Sequence, residues 1–137
     1  MRINIQVNGV QDLERHFDKI VKTMDDLTRP FDEITKDWMK KFDSNFPATG
    51  GVLKQSWPER KYKYAWPILQ KTGKLRRSFS REVNRRDASI ENKVEYAKYH
   101  QFGTPRLPIR RIVDVTDDMG TFAQKVINDY IGNVINN

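Results

Sequence analysis

The sequence predicts an α+β domain: a small antiparallel β-sheet, made of an N-terminal strand plus a hairpin, packed with three α-helices and joined by a long Pro/Gly-rich arm. Three observations predict it. Apolar residues alternate at the start of the chain, recur at three- and four-residue steps in three segments, and return around a turn signal in the middle. Hairpin neighbours are antiparallel by construction, and a helix with a single apolar stripe must lie against something, which a sheet supplies.

Residues 2–7, RINIQV, set Ile3, Ile5 and Val7 between polar neighbours, the two-residue period of a strand with one buried face. The period then changes. Val10, Leu13, Phe17, Ile20, Val21, Met24 and Leu27 recur at helical steps, and Asn8 with Gln11 forms a capping-box start, so a first helix is expected over about 9–27. Thr28 and Pro30 open a second helix with the stripe Phe31, Ile34, Trp38, Phe42 and Phe46; Asp32 and Glu33 are expected in its first turn, where the helix dipole favours carboxylates. Over 45–73, three prolines, three glycines and two Trp-Pro steps oppose long regular elements. A stretch of that length reads as an extended arm with a role in function or assembly, with room for a short helical piece at 66–70. Further on, Leu75, Phe79, Val83, Ile90, Val94 and Tyr96 suggest two strands joined near NRRDAS, where Asn84, Asp87 and Ser89 favour a turn. Thr116, Asp117 and Asp118 start the last helix, whose stripe is Met119, Phe122, Ala123, Val126, Ile127, Tyr130 and Val134.

A chain of 137 residues fits one domain over 1–137, built around a single core. Seven Phe, five Tyr and three Trp supply bulky core material that disordered chains lack. The net charge of +7 makes nucleic acid or another acidic surface a candidate partner. With no cysteine there is no disulfide framework, thiol nucleophile or thiolate metal site. No apolar run approaches the roughly 20 residues of a membrane helix, and the start MRINIQVNG lacks the apolar centre of a signal peptide. A soluble, cytoplasmic protein with no membrane partner is the expectation.

Catalytic patterns are missing. His16 and His100 are the two imidazoles; Asp12 and Asp18 beside His16 read as a solvated helix face, and neither a His-x-x-x-His nor a calcium-loop spacing occurs, so no metal is expected. The pairs Asp25–Asp26, Glu33–Asp37 and Asp117–Asp118 stand at helix ends or one turn apart, where solvation explains them without catalysis. Ser78, Ser80 and Ser89 have no Gly-x-Ser-x-Gly elbow, and ATGG and KTGK lack the spacing of a phosphate loop. The reading is therefore of a protein that is not an enzyme and takes no cofactor. A basic segment is the stronger signal: Arg60, Lys61, Lys63, Lys71, Lys74, Arg76, Arg77, Arg81, Arg85 and Arg86 are interleaved with Tyr62, Tyr64, Trp66 and Phe79. Such a set suits a small basic nucleic-acid-binding module, a solvated hairpin, or a patch that docks on an acidic neighbour.

Three ordered motifs add a resemblance. After the Trp57–Pro58 step come ILQKTGKLRRSF (68–79), EYAKYHQFG (95–103) and LPIR (107–110). Together they resemble the phage virion morphogenesis family, the tail-completion proteins of Mu-like and related contractile-tailed phages and prophages. The positions that carry the likeness are Trp57, Leu69, Thr72, Gly73, Leu75, Tyr96, Ala97, His100, Gln101, Phe102, Gly103 and Pro108. RRIVDV departs from the family's Phe-Leu-Gly ending. The resemblance implies a structural virion protein, a tail-completion or tail-terminator subunit that assembles as a hexameric ring at the neck. Its implied partners are copies of itself, tail-tube proteins and head-completion or connector proteins, with non-specific contact to DNA in the channel. Its implied location is the virion neck, with the host cytoplasm as the place of assembly. Within that picture Arg76, Arg77, Arg81, Arg85, Arg86, Arg106, Arg110 and Arg111 are expected at a subunit or partner interface or along the DNA channel. Tyr96, Tyr99, His100, Phe102 and Gly103 are expected to form a strand ending in a fixed turn that anchors the hairpin to the core, with Gly103 in a conformation other residues strain to reach.

Overall fold

The computed structural model describes residues 1–6 and 25–136. Most of the first expected helix, 9–27, lies outside them, as do Val7 and His16.

Strand β1 (Arg2–Gln6) turns Ile3 and Ile5 toward the core while Arg2, Asn4 and Gln6 face out. Strands β2 (Phe79–Val83) and β3 (Asp87–Asn92) form the expected hairpin, closed by Asn84, which donates its backbone N–H to Asp87 O and its side-chain amide to the Asp87 carboxylate, both at 2.8 Å. The sheet order is β1-β3-β2, all antiparallel. Ile3 pairs with Ile90 and Ile5 with Ala88, so the N-terminal strand returns beside the second arm of the hairpin and leaves β3 central. Three antiparallel strands with one greasy face need a cover, and helices provide it.

Helix α1 (Thr28–Ser44) buries Pro30, Phe31, Ile34, Thr35, Trp38 and Phe42 on one side. Its start is fixed by Asp26, whose carboxylate accepts from the Thr28 hydroxyl at 2.6 Å and from Thr28 N at 3.1 Å; the Thr28 hydroxyl contact holds that carboxyl below its usual pKa range. Because the helix begins at Thr28, Asp32 and Glu33 stand beyond its first turn, contrary to expectation, and Asp32 pairs instead with Lys36 one turn on. Helix α4 (Asp117–Asn136) lies against α1, joined by the Trp38 indole N–H donating to Met119 O at 3.3 Å. No helix among the described residues is long and apolar enough to cross a membrane.

Two short helices replace expected strand. Helix α2 (Lys74–Arg77) is a single turn, so Leu75 packs inward from a helix. Helix α3 (Ala97–Phe102) occupies the stretch read as a strand ending in a turn. The chain leaves the sheet at Asn92, whose buried side chain donates to Leu75 O at 2.8 Å and accepts from Val94 N at 3.1 Å, bending the backbone before Tyr96. Ala97 and Gln101, four residues apart, then form the buried face of α3.

Between α1 and α2 the residues 45–73 form no helix or strand; 66–70, where the sequence left room for a helical piece, contains only a turn from Gln70 N to Pro67 O. The first part of this segment belongs to the core all the same. Phe46 meets Trp57 edge to face at 5.5 Å and Phe79 at 6.4 Å, and Phe79 stacks on Phe42 at 5.6 Å. Gly50, at φ +91°, makes the turn between Phe46 and Trp57, and a Cβ there would stand 2.0 Å from Gln55 O.

Two glycines should therefore respond oppositely to alanine. Gly50→Ala adds an impossible contact at a positive φ and should lower stability by well over about 1 kcal/mol. Gly120→Ala, in α4 with nothing within 4 Å of the added carbon, should raise it by roughly 0.5–1 kcal/mol. Urea denaturation of both variants checks the pair; a stable Gly50→Ala protein contradicts the turn.

Candidate assembly interface

Buried loop backbone needs hydrogen-bond partners as much as a strand does, and leaving one group unpaired costs about 1–3 kcal/mol. Side chains supply those partners here. Gln101, on the inner side of α3, accepts from Ile112 N at 2.9 Å and Val113 N at 3.0 Å, and donates to Val113 O at 2.6 Å. Asn45, just after α1, accepts from Leu53 N at 3.0 Å and donates to Arg111 O at 3.3 Å. The Trp57 indole donates to the same Arg111 O at 2.9 Å. Arg110, only 6% exposed, donates Nε and Nη2 to Pro58 O at 3.0 and 2.7 Å, while its backbone N–H reaches His100 O at 2.7 Å. Residues 45–58 and 104–116 are thereby tied to each other and to α3.

Gly103 ends α3 at φ +74° and ψ 168°, a region reserved for glycine, and a Cβ there would come within 2.9 Å of Ile109 Cγ1. Thr72 and Gly73 shape the entry to α2: the Thr72 hydroxyl accepts from Lys74 N at 3.2 Å and its carbonyl from Arg77 Nη2 at 3.1 Å, with Gly73 at φ +74°. Trp57, Leu75 and Ala97 are buried, Leu69 is half-buried, and Tyr96 and Pro108 are exposed.

The eight arginines singled out in the sequence fall into different environments. Arg76 grips Asp43 through Nε at 2.7 Å and Nη2 at 3.1 Å and reaches Gln70 Oε1 at 3.0 Å; this hydrogen bonding holds the Asp43 carboxyl below its usual range. Arg81 pairs with Asp32 and Thr35, and Arg86 with Asp25, so two hairpin cations meet one acid within α1 and one just before it. Arg111 reaches Asp114 at 3.4 Å. Arg110 is spent inside the fold on Pro58. Arg85 and Arg106 are exposed and form no ion pair among the described residues, although Arg85 O anchors Leu27 N at 2.8 Å.

His100 stands edge-on to Tyr96 at 6.0 Å, in the wall of a cleft of about 330 Å³ shared with Trp66, Leu69 and Lys71. Among the described residues its buried Nδ1 has no partner, and burial, followed by the Arg110 charge, pushes its pKa below the ordinary value, which favours the neutral ring. Among the described residues no carboxylate pairs with it.

Helix α3 and the loop after it expose several apolar side chains beside charged ones. Phe102 is 67% exposed, and Tyr99, Leu107 and Ile109 are exposed with it. Phe102 and Ile109 flank a groove of about 260 Å³ with Gln101 and Arg111. The sequence reading used Phe102 as a motif residue and passed over Tyr99, Leu107 and Ile109 as a surface; the available signal was Ile109, a large aliphatic inside a Pro/Arg loop. It also passed over Asn45 and Asn92, buried amides whose only trace is a polar residue next to apolar neighbours.

Replacing Gln101 by Leu keeps the volume and removes three hydrogen bonds, two of them to amides that stay buried. The variant should lose roughly 3 kcal/mol or more, read by thermal and urea unfolding; a loss below about 1 kcal/mol contradicts the clamp.

No curated protein and no solved structure matches the chain. Residues 8–132, nearly its whole length, match the phage virion morphogenesis family, and with the fold of its motif residues now in view the chain is placed as a member of that family.

Proposed function

We propose that this protein is a tail-completion, or tail-terminator, subunit that forms a hexameric ring at the virion neck, capping the tail tube and meeting the head-completion or connector proteins. Family membership gives it a structural role in phage virion morphogenesis, in a family not known as enzymatic. The observation that carries the finer reading is the apolar face of Tyr99, Phe102, Leu107 and Ile109, set on backbone that Gln101 and Gly103 hold rigid. Exposed apolar residues accompanied in the same stretch by exposed Lys98, Arg106 and Arg111 have the composition of a contact surface, apolar and charged side chains together. A neighbouring copy is its occupant in this reading, because a closed ring needs only one heterologous contact, repeated. Among the described residues β1 and β2 are the edge strands of the sheet, and a sheet edge offers a second means of joining copies, by strand addition.

The test is a Phe102→Asp, Leu107→Asp variant. Both side chains are exposed, so the melting temperature should stay near the parent's, while ring formation, capping of purified tail tubes and head–tail joining should be lost. Sedimentation with and without tail tubes reads the outcome, and rings with full joining activity from this variant would sink the proposal.

A further inference from the structure

The positive charge of the protein is not spread over it. Of 25 Lys and Arg, seven lie within 60–77 (Arg60, Lys61, Lys63, Lys71, Lys74, Arg76 and Arg77), a segment with no Asp or Glu. The remaining 18 cations face all 18 acids, so this one segment accounts for the whole net charge of +7.

The fold leaves most of that charge unanswered. Within the segment, Arg76 alone meets a carboxylate among the described residues, that of Asp43. Arg60 donates to Trp66 O at 2.7 Å and Arg77 to Thr72 O at 3.1 Å, contacts that use N–H groups and cancel no charge. Lys61, Lys63, Lys71 and Lys74 are exposed and form no ion pair among the described residues. Arg81 and Arg86 on the hairpin, by contrast, are matched by Asp32 and Asp25. Behind the segment sits buried Arg110, whose guanidinium is pushed below its ordinary pKa by burial and then by Arg60, like charge beside like charge.

We propose that 60–77 is a binding surface for the sugar-phosphate backbone of duplex nucleic acid, engaged without regard to base sequence. Lysine makes up four of its six unpaired cations. A strongly hydrated ammonium is disfavoured in the desolvated centre of a protein interface, whereas phosphate contacts draw their free energy from released counterions and tolerate water. Base stacking is disfavoured because the rings of the segment already carry cations, exposed Tyr62 included, with Lys61 over it at 5.6 Å. Tyr64 stacks on Trp66 at 4.9 Å, with Arg60 over Tyr64 at 5.3 Å and Lys71 over Trp66 at 5.0 Å, so the rings hold the cations in place and are committed to that task. The inference does not depend on ring formation.

Fluorescence anisotropy of the full-length protein with a labelled duplex of random sequence tests it. With four lysines on four phosphates the affinity should fall about a hundredfold between roughly 50 and 200 mM salt, a log–log slope near about −3.6. The variant Lys61→Gln, Lys63→Gln, Lys71→Gln, Lys74→Gln should lose this binding. An equal charge change elsewhere, Lys36→Gln, Lys40→Gln, Lys41→Gln, Lys54→Gln, should leave the slope unchanged. If the arm variant does not fold, Lys61→Gln with Lys63→Gln, on exposed backbone, should halve the slope. Equal losses in the arm and control variants, absence of binding at low salt, or displacement of the duplex by polyglutamate at matched charge each overturn the proposal, the last in favour of an acidic protein partner. Phe102→Asp should bind the duplex as the parent does, which separates failure of this surface from failure of the ring.

Discussion

Everything in this fold rests on one constraint, the pairing of backbone amides and carbonyls that are buried outside helix and sheet. Residues 45–58 and 104–116 enter the core without forming a ladder, and burying them is tolerable only because side chains complete their hydrogen bonds. Arg111 O is the clearest instance. It receives both the Trp57 indole and the Asn45 amide, so the end of α1, the start of the arm and the loop before α4 converge on a single carbonyl. Removal of either donor leaves the rest held by fewer partners in a low-dielectric setting, where hydrogen bonds reinforce one another.

The same lattice explains how a short, irregular segment can present a definite surface. Exposed loops ordinarily lose conformational freedom when they bind, and that loss is subtracted from affinity. Here the ordering has been done during folding. Gln101 fixes the backbone at 112–113, Arg110 N is held on His100 O, and Gly103 takes a backbone conformation that sets Phe102 outward and brings Leu107 and Ile109 beside it. His100 fits the same account: among the described residues its buried Nδ1 has no partner, and the ring fills space between Tyr96 and Arg110.

Long elements were legible in the sequence because their periods run long enough to be counted. The strand at 2–6, the hairpin and the helices at 28–44 and 117–136 all follow from apolar spacing. Helices of four and six residues are too short to show a period, and α3 presents only Ala97 and Gln101 inward, one of them polar. The motif residues were visible as types at fixed intervals, yet the partners that give them meaning were not: Gln101 acts on residues 11 and 12 positions away, Trp57 on one 54 away. The arginines mislead for the same reason. As a string they form one basic run, but Asp25, Asp32 and Asp43 reach some of them from 61, 49 and 33 positions upstream and not the others.

That division has a physical consequence for how the molecule responds to salt. Arg76 grips Asp43 bidentately at the surface, and Arg81 draws on Asp32 and a buried Thr35 hydroxyl; each of these charges is answered by an acid of the fold itself. The lysines of the arm form no ion pair among the described residues, so their field extends into solvent and decays over a Debye length of about 8 Å at physiological ionic strength. Stability and long-range attraction are thus assigned to different cations in one basic run. A balanced body with all its excess charge on one segment is a dipole as well as a cation, and such a body is oriented, not merely attracted, by an anionic surface. In the proposed ring, orientation of this kind would let a subunit arrive with the apolar side chains of α3 directed toward its neighbour.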